Sequence, residues 1–317
     1  MNRFSLITVF VLCVMIFCTR CKKDDDFKGI ENISLENYPK VDCSTSTFPL
    51  NVMIACKLLG LRYTWYDWLL LGEWYLDLAE DVSEQDRVLF WQRVKSSQTH
   101  NAFMNLIDGE AEIILTHRTI SPDEKTHADA VGVTLIETPI AMDAFVFIIN
   151  KNNKVKSLTI SQIQQIYTGE LTNWSEVGGN NANIQVFTRP RNSGSEEVFR
   201  TLVMNGLEPA DFPEIPISGM AGVFREVIGS EDGICYTFNT YKDTQARMPD
   251  SEVPKIAING IFPNENTVKN RTYLFIAEVH VAIRSDLDRH SMAYKLYEWL
   301  QSENVISTIK ECGFIPK

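Results

Sequence analysis

Residues 158–179 read LTISQIQQIYTGELTNWSEVGG, and ten residues further on 189–199 read RPRNSGSEEVF. The first stretch contains a compact helix. Thr159 and Gln162 form a capping box, in which each side chain accepts a backbone N–H that the helix leaves unpaired. Ile163, Ile166 and Tyr167 make an apolar stripe at helical spacing, and Gly169 supplies the stop. A continuous apolar run of strand length, 144–150 (AFVFIIN), comes before it, and a further strand, 184–188, comes after. Ser193 with Glu196 then repeats the capping box at the next helix start. Strand and helix alternate, which is the pattern of an α/β domain.

The alternation extends in both directions. Towards the N-terminus, 111–116 (AEIILT) is a buried strand. An apolar stripe of Met53, Ile54, Cys56, Leu58 and Leu59 predicts a helix that ends at Gly60. Residues 61–90 carry Trp65, Trp68 and Trp74 and are read as helical packing surface. Towards the C-terminus, strands are expected at 233–236, 255–258 and 278–283. A last helix follows at 291–302, with Ala293, Leu296, Tyr297 and Leu300 on one face. Short strands alternating with helices predict largely parallel sheets, and no internal repeat is visible.

The chain has 317 residues, 44% of them hydrophobic and 22% charged, which is a globular composition long enough for two domains with cores of their own. Its formal charge of −11 excludes nucleic acid as a partner, because proteins that neutralise a phosphate backbone display a basic face. The N-terminal MNRFSLITVFVLCVMIFCTRC has one early arginine, Arg3, and an apolar run of secretory length ending in Cys21. It resembles a bacterial lipoprotein signal, which implies cleavage after residue 20, lipidation of Cys21 and a flexible charged tether over 21–38. An uncleaved N-terminal anchor is the alternative. Residues 22–26 resemble an acidic export signal that would place the protein on the outer cell surface. The remaining cysteines, Cys43, Cys56, Cys235 and Cys312, match no metal or redox spacing and are read as small buried hydrophobes with at most one disulfide.

No Walker A loop, GxGxxG, HExxH or GxSxG occurs, and the five histidines show no zinc spacing, so no cofactor, metal or catalytic residue is expected. What stands out are hydroxyl-rich turns, each placed before a helix. In 189–195, Arg189 can fork two N–H bonds onto a tetrahedral anion, Ser193 and Ser195 add hydroxyls, and Gly194 lets the backbone approach closely. The helix start contributes unpaired amides and a partial charge of about half an electron. The turns STSTFP (44–49) and SSQTHN (96–101) offer the same chemistry. Each turn alone reads equally as an ordinary cap; convergence of all three on one crevice is the functional reading.

The stretches 158–179 and 189–199, together with the ending YKLYEWLQSENVISTIKECGFIP (294–316), resemble the periplasmic phosphate-binding proteins of ABC importers, over nearly the whole chain from about Val41. The resemblance implies the two-lobed α/β fold of type II periplasmic binding proteins, with one lobe of about 39–142 plus 273–317, another of about 143–272, and a hinge of two strands. It implies ligand contacts at Thr47 and Phe48, at Thr99, and at Arg189, Ser193, Gly194 and Ser195. The aspartate by which the family accepts the proton of phosphate falls, 18 residues on from Thr99, at His117, whose neutral imidazole can still accept. Arg118 beside it is expected to face solvent. The implied protein is a lipid-anchored, monomeric, extracytoplasmic binding protein that presents phosphate or a similar oxyanion to ABC permease subunits. A surface lipoprotein of the same fold with another ligand, or a sensing or adhesion role, is the alternative. A phosphate-ester hydrolase using Ser193, Ser195 or His117 is the remote one.

Overall fold

The structure, a computed structural model, describes residues 27–68, 73–212 and 220–317. The signal stretch, Cys21 and residues 22–26 lie outside the described residues. From Phe27 the chain is packed rather than free, unlike the expected tether. Phe27 meets Trp299 edge-on at 5.7 Å, the Trp299 indole donates to the Lys28 carbonyl at 2.7 Å, and Ile30, Ile33 and Leu35 lean on the same core. Charged residues on either side hide this apolar spacing in the sequence.

The first half runs β1 (Val41–Cys43), α1 (Phe48–Leu59), β2 (Tyr63–Trp68), β3 (Glu73–Leu78), α2 (Glu84–Arg93), α3 (Thr99–Ile107), β4 (Ile113–Thr116) and α4 (Pro122–Ala130). A 15-residue strand, β5 (Leu135–Ile149), leads into β6 (Ser157–Leu158), α5 (Ile160–Thr168), β7 (Gln185–Val186), α6 (Gly194–Val198), α7 (Gly222–Gly229), β8 (Gly233–Phe238), β9 (Ala257–Ile258) and α8 (Glu265–Lys269). The chain closes with β10 (Ile276–Arg284), α9 (Met292–Trp299), α10 (Ile306–Glu311) and β11 (Ile315–Pro316). Caps fall where the sequence puts them: Thr159 and Gln162 form the capping box of α5, and Gly60 and Gly169 end their helices in the left-handed region.

One mixed sheet runs through the molecule in the order β1-β4-β10-β5-β8-β7, with β11 also on β5. Only its outer pairs, β1–β4 and β7–β8, are parallel; β10 and β5 are antiparallel to their neighbours, so the largely parallel sheet expected from the alternation is not formed. The reason is β5, which pairs β10 over its first part and turns to β8 from Phe145 onward. It thereby crosses between two cores. One, with Phe147, Ile163, Trp174, Phe199 and Tyr236, draws on residues from 142 to 277. The other, with Ile54, Phe90, Ile113, Val281 and Leu296, uses the two flanking stretches. The chain crosses back where the Phe145 N–H donates to the Phe275 carbonyl at 2.8 Å.

β2 and β3 pair antiparallel with each other instead of forming the expected helical surface. Trp65 pairs across with Leu76, Tyr66 with Tyr75 and Asp67 with Trp74. Aromatic cross-strand pairs of this kind stabilise a sheet by about 0.2–1 kcal/mol each, an advantage that is absent in a helix. Arg247, from the opposite lobe, lies over this pair of strands with its guanidinium 3.7 Å from the Trp74 ring and 5.5 Å from the Trp65 ring.

Candidate functional site

Between the lobes lies a cavity of about 230 Å³. That is below the roughly 300–1,000 Å³ of pockets for drug-sized ligands and fits a small ion with its waters.

Its first wall is built at the end of β1 and the start of α3. Ser44 extends the sheet by donating its N–H to the Leu115 carbonyl at 3.0 Å, and the chain then turns once through Thr45–Thr47 into α1. The Thr47 hydroxyl donates to the same carbonyl at 2.8 Å, which fixes the turn to β4. Asp42, 1% exposed, ties in the second loop: its carboxylate accepts the N–H groups of Cys43 at 2.7 Å and Ser97 at 2.9 Å and the Asn105 amide at 2.7 Å. Gln98 follows with a φ of +70°, a left-handed conformation that a non-glycine residue adopts only under constraint. Ser44, Thr45, Ser46, Gln98, Thr99, His100 and Asn101 thereby face the cavity.

The second wall is the 189–195 loop. The Arg189 N–H donates at 3.1 Å to the Tyr236 hydroxyl, which itself donates to the Glu196 carboxylate. Arg200 reaches Glu196 at 2.7 Å, and Phe199 stacks on Tyr236 at 4.5 Å. Burial pushes the Glu196 carboxyl above its ordinary range, against the pull of Tyr236 and Arg200. Because that carboxylate is engaged inward, only half of the expected capping box forms: the Ser193 hydroxyl accepts the Glu196 N–H at 3.2 Å with no reciprocal bond. Asn192, at φ +69°, turns the chain into α6.

The walls meet at Gly194. A Cβ there would stand 2.3 Å from the Thr99 Oγ1, so only glycine permits this approach. Arg189 is 6% exposed, Arg191 adds a second guanidinium, and no aspartate or glutamate is among the described residues of the lining. In a chain of charge −11 the described lining is therefore cationic. Short-range donors rather than the whole-molecule field govern what so small a site can hold.

Of the expected ligand contacts, Thr99, Arg189, Ser193, Gly194 and Ser195 come together here. Thr47 and Phe48 do not line the cavity: the Thr47 hydroxyl is engaged with Leu115, and the Phe48 N–H donates to the Thr45 carbonyl while its ring stacks on Trp91 at 6.0 Å. The residues of that turn that line the cavity are the three preceding ones, Ser44 to Ser46, and the hydroxyl-rich sequence itself is the signal for them. His117 is also set back, 3% exposed and stacked on the lining residue Phe238 at 4.0 Å. Arg118 is buried instead of solvent-facing, forked onto Glu124 by two 2.7 Å bonds. All four described cysteines are free and buried, so no disulfide forms; burial pushes the Cys43, Cys56 and Cys235 thiols up to about 12. Among the described residues no cluster of His, Cys, Asp or Glu could hold a metal.

A family model described as the PBP superfamily domain matches residues 73–304. The chain belongs to the PBP superfamily. Within it, the phosphate-binding protein PstS of Bacillus subtilis (strain 168) is 24% identical over 209 residues, which are 65% of this chain and 65% of that protein. A putative phosphate ABC transporter substrate-binding protein from Clostridium perfringens, solved with bound phosphate, superposes with a TM-score of 0.63 at 24% identity, covering 90% of this chain and 99% of that one. An ABC-type phosphate transport receptor from Vibrio cholerae gives 0.61 at 20% identity, covering 87% and 99%. At these identities the superpositions establish the fold of this PBP-superfamily chain, the two-lobed mixed α/β arrangement. Each of these relatives is named for binding or transporting phosphate.

Proposed function

We propose that this protein is an extracytoplasmic solute-binding protein that captures inorganic phosphate, or a closely similar small oxyanion, and presents it to an ABC importer. The observation that carries this is Arg189. It is a residue 6% exposed that lines the cavity together with hydroxyl-bearing residues from both lobes. A guanidinium, hydroxyl-bearing side chains and a helix start gathered round one cavity suit an anion, and a cavity of about 230 Å³ suits a small one. The names of the relatives supply the phosphate. With the walls in contact at Gly194, Ser193 and Ser195, beside Arg189, stand across the cavity from the Ser44–Ser46 turn. Each charge-assisted bond contributes about 1.5–3 kcal/mol, so three or four together give about 4.5–12 kcal/mol, a range that spans the roughly 8 kcal/mol of micromolar affinity.

The N-terminal sequence supports export and lipid anchoring through Cys21, with the protein acting as a monomer beside its permease. No helix among the described residues is long and apolar enough to cross a membrane. Isothermal titration of the purified protein with phosphate, sulfate and arsenate tests the reading: one-to-one binding of phosphate supports it, and silence toward all three overturns it.

A further inference from the structure

Two side chains of the segment 240–247 reach across to the opposite lobe. Tyr241 and Ala246 are buried in the core that holds Phe147 and Tyr236, so the segment belongs to that lobe. Gln245, 7% exposed, donates its amide to the Ser46 carbonyl at 3.0 Å, and Ser46 is part of the first wall of the cavity. Two residues on, the Arg247 guanidinium lies over the rings of Trp74 and Trp65. β2 and β3 bring those rings together. Trp65 pairs with Leu76 and Asp67 with Trp74, so by strand alternation all four share one face, which the buried Leu76 roots in its own lobe's core. Asp67 adds a negative charge that acts on the guanidinium. Arg247 takes this position at a conformational cost, with a φ of +46° that is left-handed for a residue bearing a Cβ. The fully buried Lys242 holds the chain just beyond it. Its carbonyl accepts the Met248 N–H at 3.0 Å, and its ammonium donates to the Met248 carbonyl and, at 2.7 Å, to Asp250. Gln245, Arg247, Trp65 and Trp74 all lie outside the lining of the anion cavity.

We infer that Gln245 and Arg247 form a latch that holds the two lobes together at the side of the cavity and sets how long a captured ion stays. An opening equilibrium responds to any contact made in only one of its states, so two contacts confined to the closed arrangement raise its population. A bound ion leaves only once they have broken. The latch closes after the ion has entered, so it acts on release more than on capture. Both residues are positioning residues: Gln245 acts through the Ser46 backbone, and Arg247 through the aromatic face of β2 and β3. The latch stands on contacts between protein groups alone; its effect on release rests on the oxyanion reading of the cavity.

The test has two arms. In the first, stopped-flow mixing measures association and release of inorganic phosphate. Arg247→Ala and Gln245→Ala should each speed release about two- to fivefold and leave association nearly unchanged. Arg247→Lys, which keeps a cation over the rings, should recover part of the loss. Arg247→Ala combined with Trp74→Leu should speed release by less than the product of the two single effects, because both remove the same contact. The second arm uses no ligand. Spin labels on Glu110→Cys in one lobe and Lys154→Cys in the other, both exposed positions, report the distance between the lobes. The distribution should broaden when Gln245→Ala and Arg247→Ala are combined. A wild-type distribution in that double variant overturns the latch. A broadened distribution with unchanged release overturns its part in retention. Multiplying effects of Arg247→Ala and Trp74→Leu overturn the ring contact as its cause, and Trp65→Leu takes the place of Trp74→Leu should that variant not fold. Failure of the wild type to bind phosphate overturns the reading of the cavity, and the distance arm then decides the latch by itself.

Discussion

Replacing Gly194 by alanine should separate ligand affinity from folding. The added Cβ would lie 2.3 Å from Thr99 Oγ1 and 3.2 Å from Thr99 Cβ, where a carbon–oxygen contact needs about 3.3 Å. About 1 Å of movement is therefore required. Thr99 is 5% exposed and opens α3, so it has little room to give. The lobes must part, or Thr99 must rotate its hydroxyl away, and either displaces a donor from the anion. One charge-assisted bond lost is about 1.5–3 kcal/mol, so phosphate affinity should fall about tenfold to a hundredfold. Stability without ligand should hold or rise slightly, because alanine loses less chain entropy than glycine in a helix, by about 0.5–1 kcal/mol. The assay is titration with phosphate beside thermal melts with and without it: the melting temperature alone stays, and its rise on adding phosphate shrinks. In the Gly194→Ala background, Thr99→Ala should cost less than it does in the wild type, with a coupling of about 1 kcal/mol or more. Wild-type affinity in Gly194→Ala, or strict additivity in the cycle, would refute the closeness of the two walls as the reason for glycine.

Arg189→Lys keeps the charge but loses the fork, and should weaken phosphate binding by about tenfold, whereas Arg189→Ala should lose a hundredfold or more; equal, small losses by titration would place the arginine off the anion. Arg247→Ala removes a cross-lobe contact with Trp65 and Trp74. At about 0.5–1 kcal/mol for an exposed cation–π contact, it should speed phosphate release a few-fold, read by stopped-flow tryptophan fluorescence. Burial holds His280 below its ordinary 6.5, despite the nearby Glu278. The folded chain then binds fewer protons than the unfolded one just below pH 6.5, so stability falls as pH drops from there towards the folded value. His280→Gln should flatten that part of the melting-temperature profile, and an unchanged slope would assign it elsewhere. Cys43, Cys56, Cys235 and Cys312, free and buried, should react with a thiol reagent only on unfolding.

Much of the fold could be read because local signals agreed with one another. The Thr159–Gln162 box, the Gly60 and Gly169 stops and the apolar run of β5 each specify their element without help from distant residues. Long-range pairing could not be read that way. That β5 serves two neighbours in succession depends on β10 and β8, both more than 80 residues away, so the mixed sheet was invisible to local pattern. The pairing of β2 with β3 was hidden for a related reason: its stability lies in cross-strand aromatic pairs that a one-dimensional spacing cannot distinguish from a helical face. At the site, the residue types were legible and their register was not. Ser44 to Thr47 all carry hydroxyls, and which of them turn outward is decided by the Leu115 carbonyl, which claims Thr47, and by His117, which claims Ser46. Phe27, Ile30, Ile33 and Leu35 went unrecognised because their partner surface, around Trp299, is formed by the far end of the chain.

An acidic protein that gathers cationic and hydroxyl-bearing residues from two lobes round one cavity should bind a small anion there. Equilibrium titration of the purified protein with inorganic phosphate, repeated on Arg189→Ala, tests it most directly. The expected result is one phosphate per chain at micromolar affinity or tighter, falling at least about a hundredfold in the variant. Absence of phosphate binding by the wild type, or binding that survives the loss of Arg189 intact, would contradict it.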